Sequence, residues 1–251
     1  MKAQPYSAMV NSRECRVRVG ILSCVCRFRV WFLALAMTVV GSVAVAQASS
    51  QHAVHIGLLN SIEVATNPSR EIAQWQRFSR KYRDEKAVYV LCDTGGSLCS
   101  PGLKRWRGML QNLRGADRYD MLDEVNRSIN GLVTYRNDNW VPGLKDRWAS
   151  PLEAVTNGGD CEDIALLKYI SLLELGVAEK NLRLVVVKIR RSNQGHALLA
   201  VKLDKSWIIL DSLNDEIESD MAVTNYMPLY SISGKRRWLH LAYRIVSQNV
   251  P

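Results

Sequence analysis

Residues 157–163 read Asn157-Gly158-Gly159-Asp160-Cys161-Glu162-Asp163, and the apolar run Ile164-Ala165-Leu166-Leu167 follows at once. The two glycines permit a sharp turn and a close approach of neighbouring backbone. The acidic residues suit the positive end of a helix dipole, so the pattern predicts a helix that begins at Asp160. Cys161 then lies where the first N–H groups of the helix point outward, and such groups lower the pKa of a thiol. We interpret Cys161 as a nucleophile, and a buried structural thiol is the alternative.

The pattern on either side of this stretch predicts an α+β domain. The helix from Asp160 is apolar on most sides up to Leu175, which is typical of a central, buried helix, and Gly176 ends it. Earlier in the chain, apolar residues at helical spacing predict helices over 67–83, 101–114 and 121–132, with a short helical turn from 150 and a short β-like run over 87–92. Later segments predict antiparallel strands over 182–189, 195–203, 206–211, 227–232 and 237–243. Helices followed by antiparallel strands indicate helices packed on one face of a sheet.

One predicted hairpin brings a histidine and an aspartate together. If Asp204-Lys205 is a two-residue turn, Leu203 pairs with Ser206. Side chains alternate between the two faces of a sheet, so His196 then lies diagonal to Asp211 on the same face. The hairpin therefore predicts an imidazole beside a carboxylate.

If the start of the Cys161 helix lies against this hairpin, a thiol, an imidazole and a carboxylate come together. His196 can then take the thiol proton, and Asp211 can fix the tautomer of the ring and hold the imidazolium. We predict Cys161, His196 and Asp211 as the catalytic residues. The alternatives are His240 for the base and Asp204 or Asp215 for the carboxylate.

The first 48 residues have the features of an export signal. Five arginines precede an apolar run over 30–45, and Ala46-Gln47-Ala48 has the small-x-small pattern of a cleavage site. We therefore divide the chain into a signal peptide over 1–48, with an uncleaved anchor as the alternative, and one domain over 49–251. Of the formal net charge of +9, the first 48 residues carry +5, so the domain carries +4 and has no basic block typical of nucleic-acid binding. The predicted location is the periplasm.

Export makes the cysteines informative, because exported proteins fold in an oxidising compartment. Three of the six cysteines lie within the first 48 residues. Cys92 and Cys99 enclose a short, glycine-containing loop that is flexible enough for a local disulfide. Cys161 is left over, and an unpaired thiol in an exported protein is either joined to another chain or reactive.

Several local sequences resemble the bacterial transglutaminase-like cysteine proteinases, including the LapG type of periplasmic adhesin protease. These sequences are Gly159-Asp160-Cys161-Glu162-Asp163, Gly195-His196-Ala197, Leu210-Asp211-Ser212 and Trp148-Ala149-Ser150-Pro151-Leu152-Glu153. The order of cysteine on a helix start, histidine on a strand and aspartate on the next strand is that of the papain/transglutaminase-like superfamily. The resemblance, strongest over 130–215, implies a papain/transglutaminase-like core and a cysteine endopeptidase with Cys161, His196 and Asp211 as its triad.

The resemblance also implies a biological role. Proteases of this type cut a very large surface adhesin near its N-terminus, next to paired alanines, and so release cells from a biofilm. An inner-membrane receptor that senses cyclic di-GMP sequesters the protease when attachment is favoured.

The resemblance further implies a calcium ion beside the active site. Its ligands correspond here to Asp160 and Glu162, with Asp163 as a further candidate. From the sequence, Asp138 and backbone carbonyls over 137–148 are candidates to complete the shell. The alternative is that these acids only cap the helix. Carboxylates raise the pKa of a neighbouring thiol by repulsion, which disfavours a nucleophile unless a cation offsets their charge. Calcium, which takes oxygen ligands, would do so.

Two other functions are compatible with the sequence. A transglutaminase would use the same triad but transfer the acyl group to an amine. An exported binding module would carry the three residues only as part of its core. For either enzyme, the backbone N–H of Cys161 is the predicted first oxyanion donor, and Trp148 or Asn157 is the candidate for the second.

Overall fold

The computed structural model describes residues 56–66, 70–96, 99–137 and 147–242. The predicted export signal and Asp138 lie outside these ranges, and they stay predictions. Within the described ranges, no helix combines the length and the apolar character that a membrane crossing requires.

Within the described ranges, six α-helices precede most of the strands. Their bounds are Arg70–Asp84 (α1), Lys86–Asp93 (α2), Pro101–Asn112 (α3), Arg118–Leu132 (α4), Pro151–Asn157 (α5) and Cys161–Glu174 (α6). Single turns of 3-10 helix occur at Leu58–Asn60 and Glu179–Asn181. The last four helices begin where a polar side chain accepts a first-turn backbone N–H, at Ser100, Asp117, Ser150 and Asp160. These caps fix where the four helices begin, and the helices predicted in this part of the chain are confirmed.

Residues 87–92 belong to helix α2, so the predicted β-like run is wrong. An apolar run this short fits a strand and a helix equally well by pattern alone. Burial decides for the helix, because Tyr89 and the half-buried Cys92 face the core while Val90 is 61% exposed. The Tyr89 hydroxyl also donates to Glu85 Oε2 at 2.6 Å, one helical turn earlier.

Seven strands form one antiparallel sheet in the order β1-β7-β6-β2-β3-β4-β5. Their bounds are Ser61–Thr66 (β1), Leu182–Ile189 (β2), Gly195–Leu203 (β3), Ser206–Asp211 (β4), Asn214–Ser219 (β5), Tyr226–Ser233 (β6) and Arg236–Ala242 (β7). Strands β2 to β5 form a meander, and β6 returns to pair with the other side of β2. The five predicted strands are confirmed, whereas β1 and β5 were not among them.

The hairpin of β3 and β4 has the predicted register. Leu203 pairs with Ser206, and Leu199 pairs with Leu210. Asp204 occupies the turn with a φ of 53°, a left-handed conformation that aspartate tolerates better than most residues. The α+β prediction and the shared face of the hairpin residues are therefore confirmed.

Helix α6 lies at the centre of the main core, between the sheet and the other helices. Eleven of its 14 residues are buried. It packs against β3 on one side and against α4 and α5 on the other. The opposite face of the sheet is covered at its centre by the Leu58–Asn60 turn, whose leucines pack on Val185, Leu198 and Ile209. Burial of each apolar side chain of α6 in the main core stabilises the fold by roughly 1.5–3 kcal/mol, so the helix is held firmly against β3.

A disulfide joins Cys92 at the end of α2 to Cys99 just before α3, with a Cα–Cα distance of 4.9 Å, as predicted. Beside it, Arg107 of α3 forms ion pairs with Asp93 (2.7 Å) and with Glu174 of α6 (2.8 Å). The disulfide and the ion pairs therefore tie three helices together.

Candidate active site

Cys161 is the first residue of α6 and is 8% exposed. The Asp160 carboxylate accepts the backbone N–H of Glu162 at 3.2 Å, and the Asp163 carboxylate accepts the backbone N–H of Asp160 at 3.2 Å. This reciprocal capping box fixes the first turn of the helix. Cys161 is also the one free cysteine among the described residues. The sequence from Asp160 to Asp163 therefore places a single thiol at the start of the central helix.

The two glycines let this helix start lie against the preceding chain. Gly158 has a φ of +86°, which favours glycine. Gly159 donates its N–H to the Thr134 carbonyl (3.1 Å), and its own carbonyl accepts the Arg136 N–H (2.9 Å). A Cβ on Gly159 would lie 2.6 Å from the Cβ of Asp163. A larger residue at 159 would therefore disturb the carboxylate that completes the capping box.

His196 and Asp211 form a buried pair on the β3–β4 hairpin. Nε2 of His196 lies 2.7 Å from Oδ1 of Asp211. Oδ1 also accepts the backbone N–H of Leu213 at 3.0 Å, and the Tyr226 hydroxyl donates to Oδ2. Burial raises the pKa of Asp211, but its interactions with His196, Tyr226 and Leu213 lower that pKa by more, so it lies below its ordinary value. Asp211 is thus held as a carboxylate beside the imidazole.

The Cys161 thiol lies against strand β3, next to this pair. The backbone N–H of Ala197 forms a hydrogen bond with Cys161 Sγ. Because Nε2 of His196 is bound to Asp211, Nδ1 is the ring nitrogen available to the thiol. The structure therefore places His196 in contact with Asp211 and the Cys161 thiol on Ala197, the residue after His196, and the catalytic roles of the three residues stay predictions.

The pKa of Cys161 is raised in this arrangement. Burial is the largest cause, and the negative charges of Glu162 and Asp160 add to it. The thiol donates its proton to Oε2 of Glu162 at 2.9 Å, which stabilises the protonated form. Burial and the flanking acids therefore both oppose thiolate formation, and a cation beside the acids would offset their part.

The same acids form a cluster with the geometry of a cation site. Asp160, Cys161 and Glu162 each offer a ligand atom, and these three atoms lie within 4.8 Å of one another. The two carboxylates are half-buried and present the oxygen donors that calcium prefers. Asp163 lies deeper, at 2% exposure, and its carboxylate accepts the N–H groups of Ala149 (2.7 Å) and Asp160 (3.2 Å). Asp160 and Glu162 are therefore more accessible to a cation than Asp163, and the ligand roles of all three stay predictions.

His240, the alternative base, lies on β7, three strands away from β3. Its Nδ1 contacts Ser61 Oγ at 2.6 Å, and its Nε2 contacts Ser231 Oγ at 2.9 Å. Burial lowers the pKa of His240 to about 4. Both ring nitrogens contact serine hydroxyl groups, so His240 is a buried histidine of the core, away from Cys161.

The alternative carboxylates also have other places. Asp204 lies in the hairpin turn. The Asp215 side chain accepts a hydrogen bond from Asn130 of α4 at 2.9 Å. Among the described residues, the carboxylate that contacts His196 is that of Asp211.

Two tyrosines beside these groups were not identified from the sequence. Tyr226 of β6 donates to Asp211, and its ring centroid lies 5.6 Å from that of His196. Tyr135 is 57% exposed, and partial burial together with the charges of Cys161 and the flanking acids raises its pKa. Neither has a local sequence signal, because the pairing β2–β6 and the bridge between Tyr135 and Gly159 join distant parts of the chain.

The two candidates for the second oxyanion donor differ in their surroundings. Trp148 is 8% exposed and packs in the main core. Asn157 is exposed at the last position of α5, just before the glycine turn. Either role as a donor stays a prediction.

Comparisons with known proteins agree with this geometry. A sequence profile described as bacterial transglutaminase-like cysteine proteinase matches residues 86–244. Solved structures of Legionella pneumophila LapG, including an EGTA-treated and a calcium-bound form, match with 28% identity and a TM-score of 0.53. The match covers 61% of this chain and 84–86% of the LapG chains. Among curated proteins, no sequence matches the chain. Because the profile spans more than half of the residues, the chain belongs to the bacterial transglutaminase-like cysteine proteinases and is a cysteine protease.

Proposed function

We propose that the chain is a periplasmic, calcium-dependent cysteine endopeptidase that cleaves a large cell-surface adhesin near its N-terminus and so promotes biofilm dispersal. An inner-membrane receptor that senses cyclic di-GMP would sequester it. The proposal is supported by the family, by the similarity to Legionella pneumophila LapG over most of that protein's length, and by the export pattern of the first 48 residues. The observation that carries the proteolytic part is the 2.7 Å contact between His196 and Asp211 beside Cys161.

The residues support peptide hydrolysis through an acyl-enzyme. His196 Nδ1 accepts the proton of Cys161 Sγ, and Asp211 stabilises the imidazolium that forms. The thiolate attacks the peptide carbonyl carbon, and the backbone N–H of Cys161 stabilises the resulting oxyanion. His196 then gives its proton to the leaving amine as the C–N bond breaks. It next deprotonates a water molecule that hydrolyses the thioester, which releases a carboxylate and restores the thiol.

The acids beside Cys161 fit a calcium site. Asp160 and Glu162 supply oxygen donors at the required spacing, and Glu162 forms no ion pair with any described residue. A bound calcium ion would offset the two negative charges that raise the pKa of the thiol. The existence of calcium-bound and EGTA-treated forms of LapG supports this assignment.

Cleavage of the adhesin tests the enzymatic proposal directly. The substrate is a purified N-terminal adhesin fragment with paired alanines, and its fragments are followed by mass spectrometry. Wild type should cut it beside these alanines, whereas Cys161→Ala should show no cutting and an unchanged melting temperature. Cleavage by Cys161→Ala would reject the nucleophile. Adding a primary amine to the same reaction distinguishes a protease from a transglutaminase. A free carboxylate indicates hydrolysis, whereas an amide of the added amine would establish a transglutaminase.

Calcium binding can be measured without catalysis. Calorimetric titration of calcium into Cys161→Ala should show binding, and the added changes Glu162→Gln or Asp160→Asn should weaken it at least tenfold. The matched control is Glu124→Gln on the exposed side of α4, which should leave the affinity unchanged. Chelation should also slow adhesin cleavage by wild type. Absence of a calorimetric signal, or equal affinity in all variants, would exclude calcium from this cluster.

Localisation and sequestration need their own experiments. Cell fractionation should recover the chain with periplasmic markers, and recovery with cytoplasmic markers would reject export.

Binding of purified chain to the receptor's periplasmic part should require cyclic di-GMP on the cytoplasmic part of the full-length receptor. Equal binding with and without the nucleotide would contradict this control.

A further inference from the structure

Helix α6 carries a lysine in the middle of the core. Lys168 is 0% exposed, although removing an ammonium group from water is costly. Burial lowers its pKa to about 7, and the charges of Asp211 and Asp215 act in the opposite direction. A methionine would fill a similar volume without this cost, so packing does not explain a lysine here.

The Lys168 ammonium fixes the orientation of a buried amide. Its Nζ donates to Oδ1 of Asn126 in α4 at 2.7 Å, and Asn126 is also 0% exposed. Because Oδ1 faces the ammonium, Nδ2 points the other way and donates to the carbonyls of Asn214 (2.8 Å) and Asp215 (2.9 Å). Lys168 therefore determines which end of the amide faces the turn between β4 and β5.

That turn begins at Asp211. One helical turn beyond Asn126, Asn130 donates to the carbonyl of Asp211 (2.9 Å) and to the side chain of Asp215 (2.9 Å). Helix α4 thus holds the backbone of the turn at both of its ends. The side chain of Asp211 projects from this backbone toward His196.

Lys168 and Cys161 are seven residues apart on one helix, so they lie on the same side, two turns from each other. One rigid element therefore presents the thiol at its end and supports the turn that bears the carboxylate. We propose that Lys168 is a positioning residue: through Asn126 it fixes the β4–β5 turn and thereby the orientation of Asp211 against His196. This inference rests on the triad of the proposed function.

The first test replaces the ammonium with an apolar chain. Lys168→Met should lower kcat for adhesin-fragment cleavage by about 10- to 100-fold with little change in KM, because a misoriented carboxylate affects chemistry more than substrate binding. Its melting temperature should change by only a few degrees, since the removed cost of burying the ammonium offsets the cost of leaving Oδ1 of Asn126 without a donor. The matched control is Ser171→Ala, which removes another buried polar group of α6 that contacts Trp106 (2.8 Å), away from the turn. Its kcat should equal that of wild type.

A double-mutant cycle asks whether Lys168 acts through Asp211. In an Asp211→Asn background, Lys168→Met should change kcat by less than twofold, because the group that it positions is already lost. If the kcat losses of the two single variants multiply in the double variant, Lys168 does not act through Asp211. If Lys168→Met has a wild-type kcat while Asp211→Asn is defective, the role of Lys168 is likewise overturned. Neither outcome contradicts the triad. Full activity of Asp211→Asn would overturn the triad, and this inference with it.

A second variant decides the question if Lys168→Met does not fold. Asn126→Asp keeps an acceptor for the ammonium but cannot donate to the carbonyls of Asn214 and Asp215. It should lower kcat at constant KM to a similar degree. A wild-type kcat in folded Asn126→Asp would contradict the proposal.

Discussion

Two histidines are buried in the same sheet, and their surroundings differ in one decisive respect. His196 on β3 is 5% exposed and His240 on β7 is 7% exposed. One nitrogen of His196 contacts a carboxylate, and the other is available to Cys161. Both nitrogens of His240 contact serine hydroxyls instead. Burial alone therefore does not distinguish a catalytic histidine from a structural one.

The partners decide which ring can carry a positive charge. A carboxylate stabilises an imidazolium, whereas a hydroxyl group gives little compensation for the loss of water. The carboxylate that acts on His240, Glu63, is already paired with Arg183 at 2.7 Å. The pKa of His240 accordingly falls to about 4, so this ring is neutral at physiological pH. A general base must be able to accept a proton, and of these two histidines His196 is the one that contacts a carboxylate.

The largest expected difference is in catalysis. His196→Gln should reduce kcat/KM for adhesin-fragment cleavage by about 10³-fold or more, because the thiol loses its base. His240→Gln should stay within about threefold of wild type when both variants are assayed at equal folded concentration. Equal losses in the two variants would show that the distinction between the histidines is wrong.

A smaller difference is expected in the pH dependence of stability. The folded-state pKa of His240 lies below its unfolded value of 6.5, so the unfolded chain binds more protons between these values. Stability should therefore fall as the pH drops from about 6.5 to about 4, by up to about 3 kcal/mol from this group. Denaturant unfolding at a series of pH values should show this loss in wild type and lack it in His240→Gln. The same slope in both proteins would assign the loss to other groups.

The smallest effects come from removing one hydroxyl near each ring. Tyr226→Phe deletes a donor to Asp211 and should lower kcat by about tenfold, in line with a hydrogen bond to a charged group. Ser231→Ala deletes a partner of His240 and should lower the free energy of unfolding by about 1 kcal/mol with kcat unchanged. Steady-state kinetics and denaturant unfolding on both variants measure the contrast. A kcat loss in Ser231→Ala would connect His240 to catalysis after all.

Local patterns were sufficient to place the residues that are predicted to carry the chemistry. The glycines and acids around Cys161 predict a turn and a capped helix start, and both are present. The two-residue turn and the period of two predict that His196 and Asp211 share a face, and their 2.7 Å contact agrees. These features depend on neighbours within a few residues or within one hairpin, so the sequence shows them directly.

Other features depend on contacts between distant parts of the chain. Strand β5 has the polar sequence Asn214–Ser219 with Ile217 as its one apolar residue, and it forms because it pairs with β4 and is held by α4. Tyr226 reaches Asp211 only once β6 has returned to pair with β2. In the sequence, Lys168 is a polar residue in a mostly apolar helix, and only its contact with Asn126 of α4 shows its position in a hydrogen-bond network. Such long-range pairings leave no periodic signal in a single sequence.

The two-residue turn at Asp204-Lys205 fixes the register of the hairpin that carries His196 and Asp211. It sets the pairing of Leu203 with Ser206, and this pairing determines which face of the sheet each later residue of β4 occupies. A one-residue slip of that pairing would turn Asp211 to the opposite face of the sheet, away from His196. A length change at this exposed turn is therefore compatible with catalysis where the added residues extend the loop and leave the pairing of β3 with β4 unchanged. A change that slips the pairing would inactivate the protease with every residue of its active site unaltered.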